Sequence, residues 1–145
     1  MKSEDRPPKI LYQDQEDAFE SFKRFIIPYL KANPSIQEAG VWAGLAEKKF
    51  GNYERPCADG KKRSDVDLVL VIREEDIPKN WEFMTDKSWF KGYISKEFRK
   101  FHYQGNNHDV DVLVVKKEKL EKAREQIKTR GKIIYIKQGT NSILE

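Results

Sequence analysis

The chain has 145 residues, of which 38% are hydrophobic and 36% are charged, so it is long enough for one domain with a buried core. Its net charge of +4 favours anionic ligands only weakly and falls short of the dense basic surface of a typical nucleic-acid-binding domain. A single cysteine, Cys57, excludes an internal disulfide framework and indicates a reducing, cytoplasmic setting. No apolar run approaches the roughly 20 residues of a membrane span, and no segment resembles a signal peptide.

The first half of the chain predicts one long helix and one strand in front of a polar segment. Apolar residues recur at helical spacing after Asp14, and Pro28 should kink or shorten the last turn of that helix. The predicted elements are a flexible tail over residues 1–9, a helix from Asp14 to Lys31, a strand over 36–43 that ends at Gly44, a helical turn or two over 45–50, and a polar, turn-rich segment over 51–62. The tail precedes a single domain over residues 10–145.

The second half predicts two similar strands, separated and followed by helices. Aromatic residues from Trp89 to Phe101 fall at helical spacing and predict an amphipathic helix. The predicted elements are a strand over 65–72, a connection of undefined form over 74–87, the aromatic helix, a turn over 105–107, a strand over 109–115, a helix over 117–128, a break at Gly131 and a strand over 132–137. Together they predict an α/β (α+β) fold, a small mixed sheet with helices packed mainly on one face.

Each of the two similar strands begins with two aspartates that alternate with valine. Asp65 and Asp67 precede one apolar run, and Asp109 and Asp111 precede the other. Because side chains alternate between the two faces of a strand, both members of each pair should lie on one face. Neighbouring carboxylates repel each other unless they share a cation or a proton. The pattern predicts a divalent metal site built from two strands.

The order of these features resembles the minimal nucleotidyltransferases of the DNA polymerase beta superfamily. The likeness is carried by a strand that ends at Gly44, a short helix after it, the Ser-Asp-Val-Asp-Leu run over 64–68 that opens a strand, and a later aspartate on a neighbouring strand. It runs from about Glu38 to Tyr135, where the closing glycine, strand and tyrosine are also similar to the ending of stand-alone members.

The resemblance implies an enzyme that transfers a nucleoside monophosphate from a nucleoside triphosphate, such as ATP, to a hydroxyl acceptor. It implies that Asp65, Asp67 and Asp111 are the catalytic residues and also the ligands of Mg²⁺ or Mn²⁺. Such ions neutralise the charge of the triphosphate and help to activate the attacking hydroxyl. Stand-alone members are often antitoxins that modify a toxin, so the resemblance also implies a partner protein as acceptor or toxin.

Three further residues are candidates for nucleotide binding. By resemblance, Gly44 would allow close approach of the phosphates, and Ser64 would orient groups beside the metal. Arg63, with Lys61 and Lys62, is a candidate from its charge, and a solvated loop in front of a strand is the alternative interpretation of these three residues.

The chain departs from the family pattern in two places. The family has a phosphate-contacting serine directly after the strand-ending glycine, where this chain has Leu45. The segment from Lys48 to Arg63 is longer than in compact members and is interpreted as an insertion. These departures keep a second function open, a catalytically weakened module that acts by docking on a partner protein.

The choice of the third carboxylate stays open at the level of the residues. Asp109 competes with Asp111 for this position, although Asp111 lies deeper and is followed at once by the apolar run. A hydrolase or glycosyl-transfer protein with a metal-bound diphosphate fits the carboxylates but not the glycine and helix. The spacing of His102, His108 and Cys57 matches no zinc pattern, so surface or packing roles are predicted for them. Neither the base of the nucleotide nor the oligomeric state follows from the sequence, and binding of nucleic acid is undecided.

Overall fold

A computed structural model describes residues 6–145 of the chain, in which nine strands and two helices form a mixed α+β domain. The elements are β1 (Lys9–Leu11), α1 (Gln15–Ala32), β2 (Glu38–Trp42), β3 (Gly51–Tyr53), β4 (Val66–Val71), β5 (Glu82–Asp86), β6 (Phe90–Ile94), β7 (Lys100–Tyr103), β8 (Asn106–Val115), α2 (Leu120–Arg130) and β9 (Gly131–Ile136). Short 3₁₀ turns precede β5 and α2. The predicted fold class is confirmed.

Seven of the strands form one sheet in the order β5-β6-β8-β4-β2-β9, with β7 also paired to β8. β4 and β8 run parallel, and the remaining pairs are antiparallel. The parallel register sets Val66 opposite Val110 and Asp67 opposite Asp111. The two acidic strands predicted from the sequence are therefore direct neighbours at the centre of the sheet, and both begin at the same end.

The first helix begins where the sequence predicted it. The Asp14 side chain caps the helix by accepting a hydrogen bond of 3.0 Å from the backbone N–H of Asp17. Its buried face consists of residues four apart, which is one helical stripe: Ala18, Phe22, Ile26 and Leu30. The helix continues through Pro28 to Ala32, so the predicted shortening does not occur.

The two helices pack on opposite faces of the sheet, where the sequence predicted helices mainly on one face. Phe22 and Ile26 of α1 share a core cluster with Leu68 of β4. Ile127 of α2 shares a second cluster with Val69, the next residue of the same strand. Both faces of β4 are buried in this way, which explains its unbroken apolar run. Over residues 6–145, neither helix is long and apolar enough to cross a membrane.

The predicted helix from Trp89 to Phe101 is wrong, because this segment forms β6 and β7. β6 pairs with the second part of β8, and β7 pairs with its first part. Aromatic residues occur on the surfaces of strands as well as on helix faces. In a short segment, a spacing of three or four residues does not distinguish a strand from a helix. A two-residue turn at Gln104 and Gly105, with φ of 46° and 82°, joins β7 to β8. The predicted turn over 105–107 therefore lies slightly earlier.

The chain after β2 forms a turn where the sequence predicted a helical turn or two. Residues 44–48 make a hydrogen-bonded turn, and Ala43 and Lys48 at its two ends have positive φ values of 60° and 62°. Within the described chain, no helix begins directly after Gly44. This outcome matters for the site, because the resemblance implied a short helix directly after Gly44, the residue expected to lie close to the phosphates.

The N-terminal segment and the predicted insertion combine into a second, two-stranded sheet. β1 pairs antiparallel with β3, with Lys9 opposite Tyr53 and Leu11 opposite Gly51. Of the predicted flexible tail over residues 1–9, residues 1–5 lie outside the described part, Pro7 is buried and Lys9 begins β1. The segment over 51–62, predicted to be turn-rich, contains β3.

A substitution at Gly51 tests whether this small sheet holds the N-terminal segment in place. A Cβ at Gly51 would press on the backbone carbonyl of Ile10 and lie 2.7 Å from the Cα of Leu11. Gly51→Ala should therefore separate β1 from β3, which limited proteolysis and amide hydrogen exchange at residues 9–11 would detect as loss of protection. Gly44→Ala is the control, since its Cβ would meet only the Lys49 carbonyl oxygen at 3.9 Å. Equal protection in both variants would contradict the prediction.

Candidate active site

The parallel pairing of β4 and β8 brings together the three aspartates that the sequence singled out. Asp67 lies directly opposite Asp111, and Asp65 precedes Asp67 by one pleat on the same face. This face is also the face of α2, because Val69 of β4 packs in the cluster that contains the α2 side chains. The three carboxylates therefore lie at the mouth of the two strands, where the apolar core of that face ends.

Two of these carboxylates hold their protons unusually strongly. Burial first, and then the charge of Asp65, raise the pKa of Asp67 from 3.8 to about 7. The same causes raise the pKa of Asp111 to about 7, where a hydrogen bond with Asp65 also contributes. The cluster carries more negative charge than its surroundings compensate, so it attracts a proton or a cation.

One cation of the chain already contacts the cluster. The ammonium group of Lys61 forms an ion pair with the Asp65 carboxylate, and both side chains are mostly buried. Lys61 also lowers the pKa values of Asp67 and Asp111, but burial and the neighbouring aspartates outweigh its effect. The sequence had placed Lys61 with two neighbouring basic residues as a candidate for triphosphate binding, whereas here it neutralises a carboxylate.

The donor chemistry of the cluster fits magnesium or manganese, which prefer carboxylate oxygens. Over residues 6–145, however, no group of three or more His, Cys, Asp or Glu side chains is already arranged to hold a metal ion. The three aspartates therefore supply suitable ligand atoms without forming a closed ligand set. A divalent ion would relieve the repulsion that raises the pKa values of Asp67 and Asp111.

The structure separates Asp111 from its competitor Asp109. Asp111 lies opposite Asp67 in the register of the parallel pair. Asp109 lies one pleat closer to the start of β8, where its half-exposed carboxylate forms an ion pair with Lys100 of β7. Of the two residues, Asp111 belongs to the acidic cluster, and Asp109 provides a natural control with the same side chain on the same strand.

Gly44 and Leu45 are not placed as the resemblance implies. Gly44 lies in the turn after β2, and a Cβ there would meet a single atom within 4 Å. A residue with a side chain would therefore fit at this position. Leu45 is 2% exposed and packs in the α1 cluster with Phe22, on the face of the sheet opposite the carboxylates. These two residues do not form a phosphate cradle in this structure.

Ser64 and Arg63 hold the entry of the acidic strand by ordinary hydrogen bonds. The buried Ser64 hydroxyl accepts from the Gly51 N–H at 3.3 Å, and the Ser64 N–H donates to the Gly51 carbonyl at 2.9 Å. The Arg63 guanidinium donates to the Asn106 side-chain oxygen at 3.2 Å. Both residues connect β4 to neighbouring segments, and Ser64 directs its hydroxyl toward β3.

His108 is a residue of the site region for which the sequence predicted only a surface or packing role. It is fully buried, with Nδ1 2.8 Å from the Ser64 carbonyl oxygen and Nε2 2.7 Å from the Tyr12 hydroxyl. Burial lowers the pKa of His108 and so favours the neutral ring, in which Nδ1–H donates to the Ser64 carbonyl and Nε2 accepts from the Tyr12 hydroxyl. The signal in the sequence was its place two residues before Val110, on the buried face of β8.

Arg130, at the end of α2, is a residue near the site that the sequence analysis missed. Its guanidinium lies 4.8 Å from the ring centre of Trp42 and forms an ion pair of 2.8 Å with Glu47. Its charge lowers the pKa of Asp67, although less than burial and Asp65 raise it. No local pattern marks this residue, because the contact depends on how the end of α2 meets β2.

Comparisons with known proteins do not assign the chain to a family. Neither the models of known protein families nor the curated proteins contain a match to this chain. The candidate site therefore rests on the geometry and charge of its own residues, and the resemblance to nucleotidyltransferases stays a prediction.

The position of Leu45 predicts the effect of a substitution that would restore the family's serine. Leu45→Ser should lower the free energy of unfolding by about 2 to 5 kcal/mol, since it removes a buried side chain and leaves a hydroxyl in an apolar cluster. Urea denaturation measures this loss. Ala46→Ser, at a half-buried neighbour, is the comparison and should cost less. A Leu45→Ser variant as stable as the native chain would place this side chain outside the core.

The raised pKa of Asp67 predicts a pH-dependent gain of stability in Asp67→Asn. An aspartate with a higher pKa in the folded than in the unfolded chain destabilises the fold as the pH rises from the unfolded value toward the folded one, and remains unfavourable above it. With chelator present, Asp67→Asn should melt at a higher temperature than the native chain at pH 8, and the difference should shrink toward pH 4. Asp109→Asn should show no such gain. An Asp67→Asn effect independent of pH would contradict the prediction.

Proposed function

We propose that this chain is a magnesium-dependent nucleotidyltransferase, which transfers a nucleoside monophosphate from a nucleoside triphosphate to a hydroxyl acceptor. The observation that carries the proposal is the placement of Asp67 directly opposite Asp111, with Asp65 one pleat before Asp67, at the mouth of two parallel strands. Three carboxylates on rigid neighbouring strands are a suitable ligand set for hard divalent ions. The order of the acidic strands along the chain supports the same interpretation.

Each aspartate has a distinct part in this proposal. Asp65 and Asp67 would hold the ion, and Asp111 would complete the ligand set and accept the proton of the acceptor hydroxyl. When bound, magnesium neutralises charge on the triphosphate and stabilises the leaving pyrophosphate.

The acceptor in this proposal is a partner protein, as acceptor or toxin, as the resemblance implies. The one cysteine of the chain, Cys57, is buried and free, which agrees with the cytoplasmic setting expected from the sequence. We therefore place the reaction in the cytoplasm, with ATP as the first triphosphate to test.

A second candidate function is docking on a partner without catalysis. It is favoured by the edge strand β5, which among residues 6–145 pairs only with β6 and exposes Phe83 (55%) and Met84 (53%) to solvent. Exposed apolar residues on an unpaired strand edge are typical of surfaces that bind other chains. The turn at Gly44 and the buried Leu45 agree with this alternative, since they remove the expected phosphate contacts.

Variants of the aspartates on β4 and β8 test the leading proposal. Asp67→Asn and Asp111→Asn should each weaken Mn²⁺ binding, followed by electron paramagnetic resonance, by at least about tenfold, because even outer-shell partners of metal ligands are worth that much. Both should also abolish transfer of label from an α-labelled ribonucleoside triphosphate.

Asp109→Asn is the matched control for these variants. It removes a carboxylate from the same strand, but one paired with Lys100 at the exposed end. It should keep Mn²⁺ affinity within a small factor of the native value. If Asp109→Asn lost Mn²⁺ while Asp111→Asn retained it, the third carboxylate would be reassigned. If the native chain bound no Mn²⁺ at millimolar concentration, the docking function would become the leading one.

A further inference from the structure

Two cationic side chains, those of Arg6 and Lys9, lie over the ring of Tyr53, next to a third basic residue, Lys49. The Lys9 ammonium lies 5.5 Å from the centre of the Tyr53 ring and donates a hydrogen bond of 3.1 Å to the Lys49 carbonyl oxygen. The Arg6 guanidinium lies 5.9 Å from the same ring centre and donates a hydrogen bond of 2.6 Å to the Tyr53 hydroxyl. We call Arg6, Lys9, Lys49 and Tyr53 the basic platform.

The backbone connects the basic platform to the strand that carries the aspartates. Lys9 of β1 lies opposite Tyr53 of β3. The Tyr53 N–H donates to the Lys62 carbonyl at 2.9 Å, so β3 in turn lies beside the segment that enters β4. The platform therefore consists of the N-terminal segment and the insertion, and it is held beside Asp65 by hydrogen bonds between backbone groups.

The charges of the basic platform are not neutralised within the described chain. Among residues 6–145, no carboxylate lies within ion-pair distance of the Arg6, Lys9 or Lys49 side chains. Burial, followed by the charges of Arg6 and Lys49, lowers the pKa of Lys9, and the charges of Asp65 and Asp67 act in the opposite direction. Arg6 and Lys49 thus repel Lys9, whereas the acidic cluster attracts it.

We propose that Arg6, Lys9 and Lys49 form an anion site that binds the polyphosphate chain of a nucleotide. This inference rests on the proposed function, and it supplies the phosphate contacts that the turn at Gly44 and the buried Leu45 do not make. Arginine presents a planar fork of donors to phosphate, and lysine a compact point charge. A polyphosphate carries several negative charges on one short chain, so it can contact more than one of these cations at once.

The neighbouring aspartates restrict which anion the site takes. Asp65 and Asp67 repel any anion that approaches the basic platform without a cation of its own. A polyphosphate that shares a divalent ion with these carboxylates is attracted by the basic platform and, through the ion, by the acidic cluster. A single phosphate or a metal-free polyphosphate is attracted by the basic platform alone. Binding of polyphosphate should therefore strengthen when Mn²⁺ is present.

The test uses the full chain and inorganic tripolyphosphate, measured by isothermal titration with and without Mn²⁺. Lys9→Met should weaken tripolyphosphate binding by about tenfold or more, because hydrogen bonds to charged groups are among the stronger ones. Lys9→Arg keeps the charge and should restore most of the affinity. Lys117→Met is the matched control, since it removes the same charge from an exposed residue after the far end of β8. Unfolding midpoints confirm that each variant is folded.

The outcomes separate this site from the proposed enzyme. Loss of tripolyphosphate binding in Lys9→Met, with Lys117→Met unchanged, supports the anion site. That result together with no Mn²⁺ binding and no transfer by the native chain would retain the anion site and reject the nucleotidyltransferase. Nucleotide and Mn²⁺ binding that are unchanged in Lys9→Met would retain the enzyme and overturn the anion site. A native chain that binds no tripolyphosphate at millimolar concentration would also overturn it.

Discussion

The placement of two half-buried carboxylates side by side, Asp67 on β4 and Asp111 on β8, is the constraint on which the candidate site depends. The parallel register sets them opposite each other, and burial with the charge of Asp65 raises both pKa values to about 7. A fold gains no stability from such an arrangement at neutral pH, because each ionised carboxylate makes the other harder to ionise. Cationic side chains around the cluster partly offset this negative charge, and Lys61 contacts Asp65 directly. Groups that are unfavourable for stability and lie at an accessible strand end are typical of functional sites.

The segment that precedes β4 both holds the acidic strands in place and supplies the positive side of the site. His108 connects Ser64 to Tyr12 through its two ring nitrogens, and Ser64 hydrogen-bonds to Gly51 of β3. Through these contacts the N-terminal segment, the insertion and the central sheet form one continuous network. The segment over 48–63, predicted to be an insertion, is thus a structural part of the site. Substitutions in it should therefore change the environment of the carboxylates.

The resemblance to nucleotidyltransferases and the geometry agree on the acidic side of the site and differ on the phosphate side. The aspartates occupy neighbouring strands in the expected order, whereas the turn at Gly44 offers no helix N-terminus and Leu45 lies in the core. If the chain transfers nucleotides, its phosphate contacts come from different residues, and the basic platform is the group of cations placed to make them. If it does not, the same departures agree with a docking module that has kept the acidic strands.

The sequence by itself determined the elements whose pattern is local. Helix α1 has a capping aspartate and an apolar stripe, and β4 and β8 have alternating aspartates before apolar runs, so periodicity alone placed these elements and put Asp65, Asp67 and Asp111 on matching faces. The tertiary structure decided everything that depends on which segments meet. Residues 90–94 and 100–103 form strands because they pair with β8. Leu45 packs in the core, and the two helices pack on opposite faces of the sheet. The tertiary structure also set Lys9 of β1 opposite Tyr53 of β3, since pairing between distant segments follows from packing of the whole chain and leaves no periodic signal in either segment.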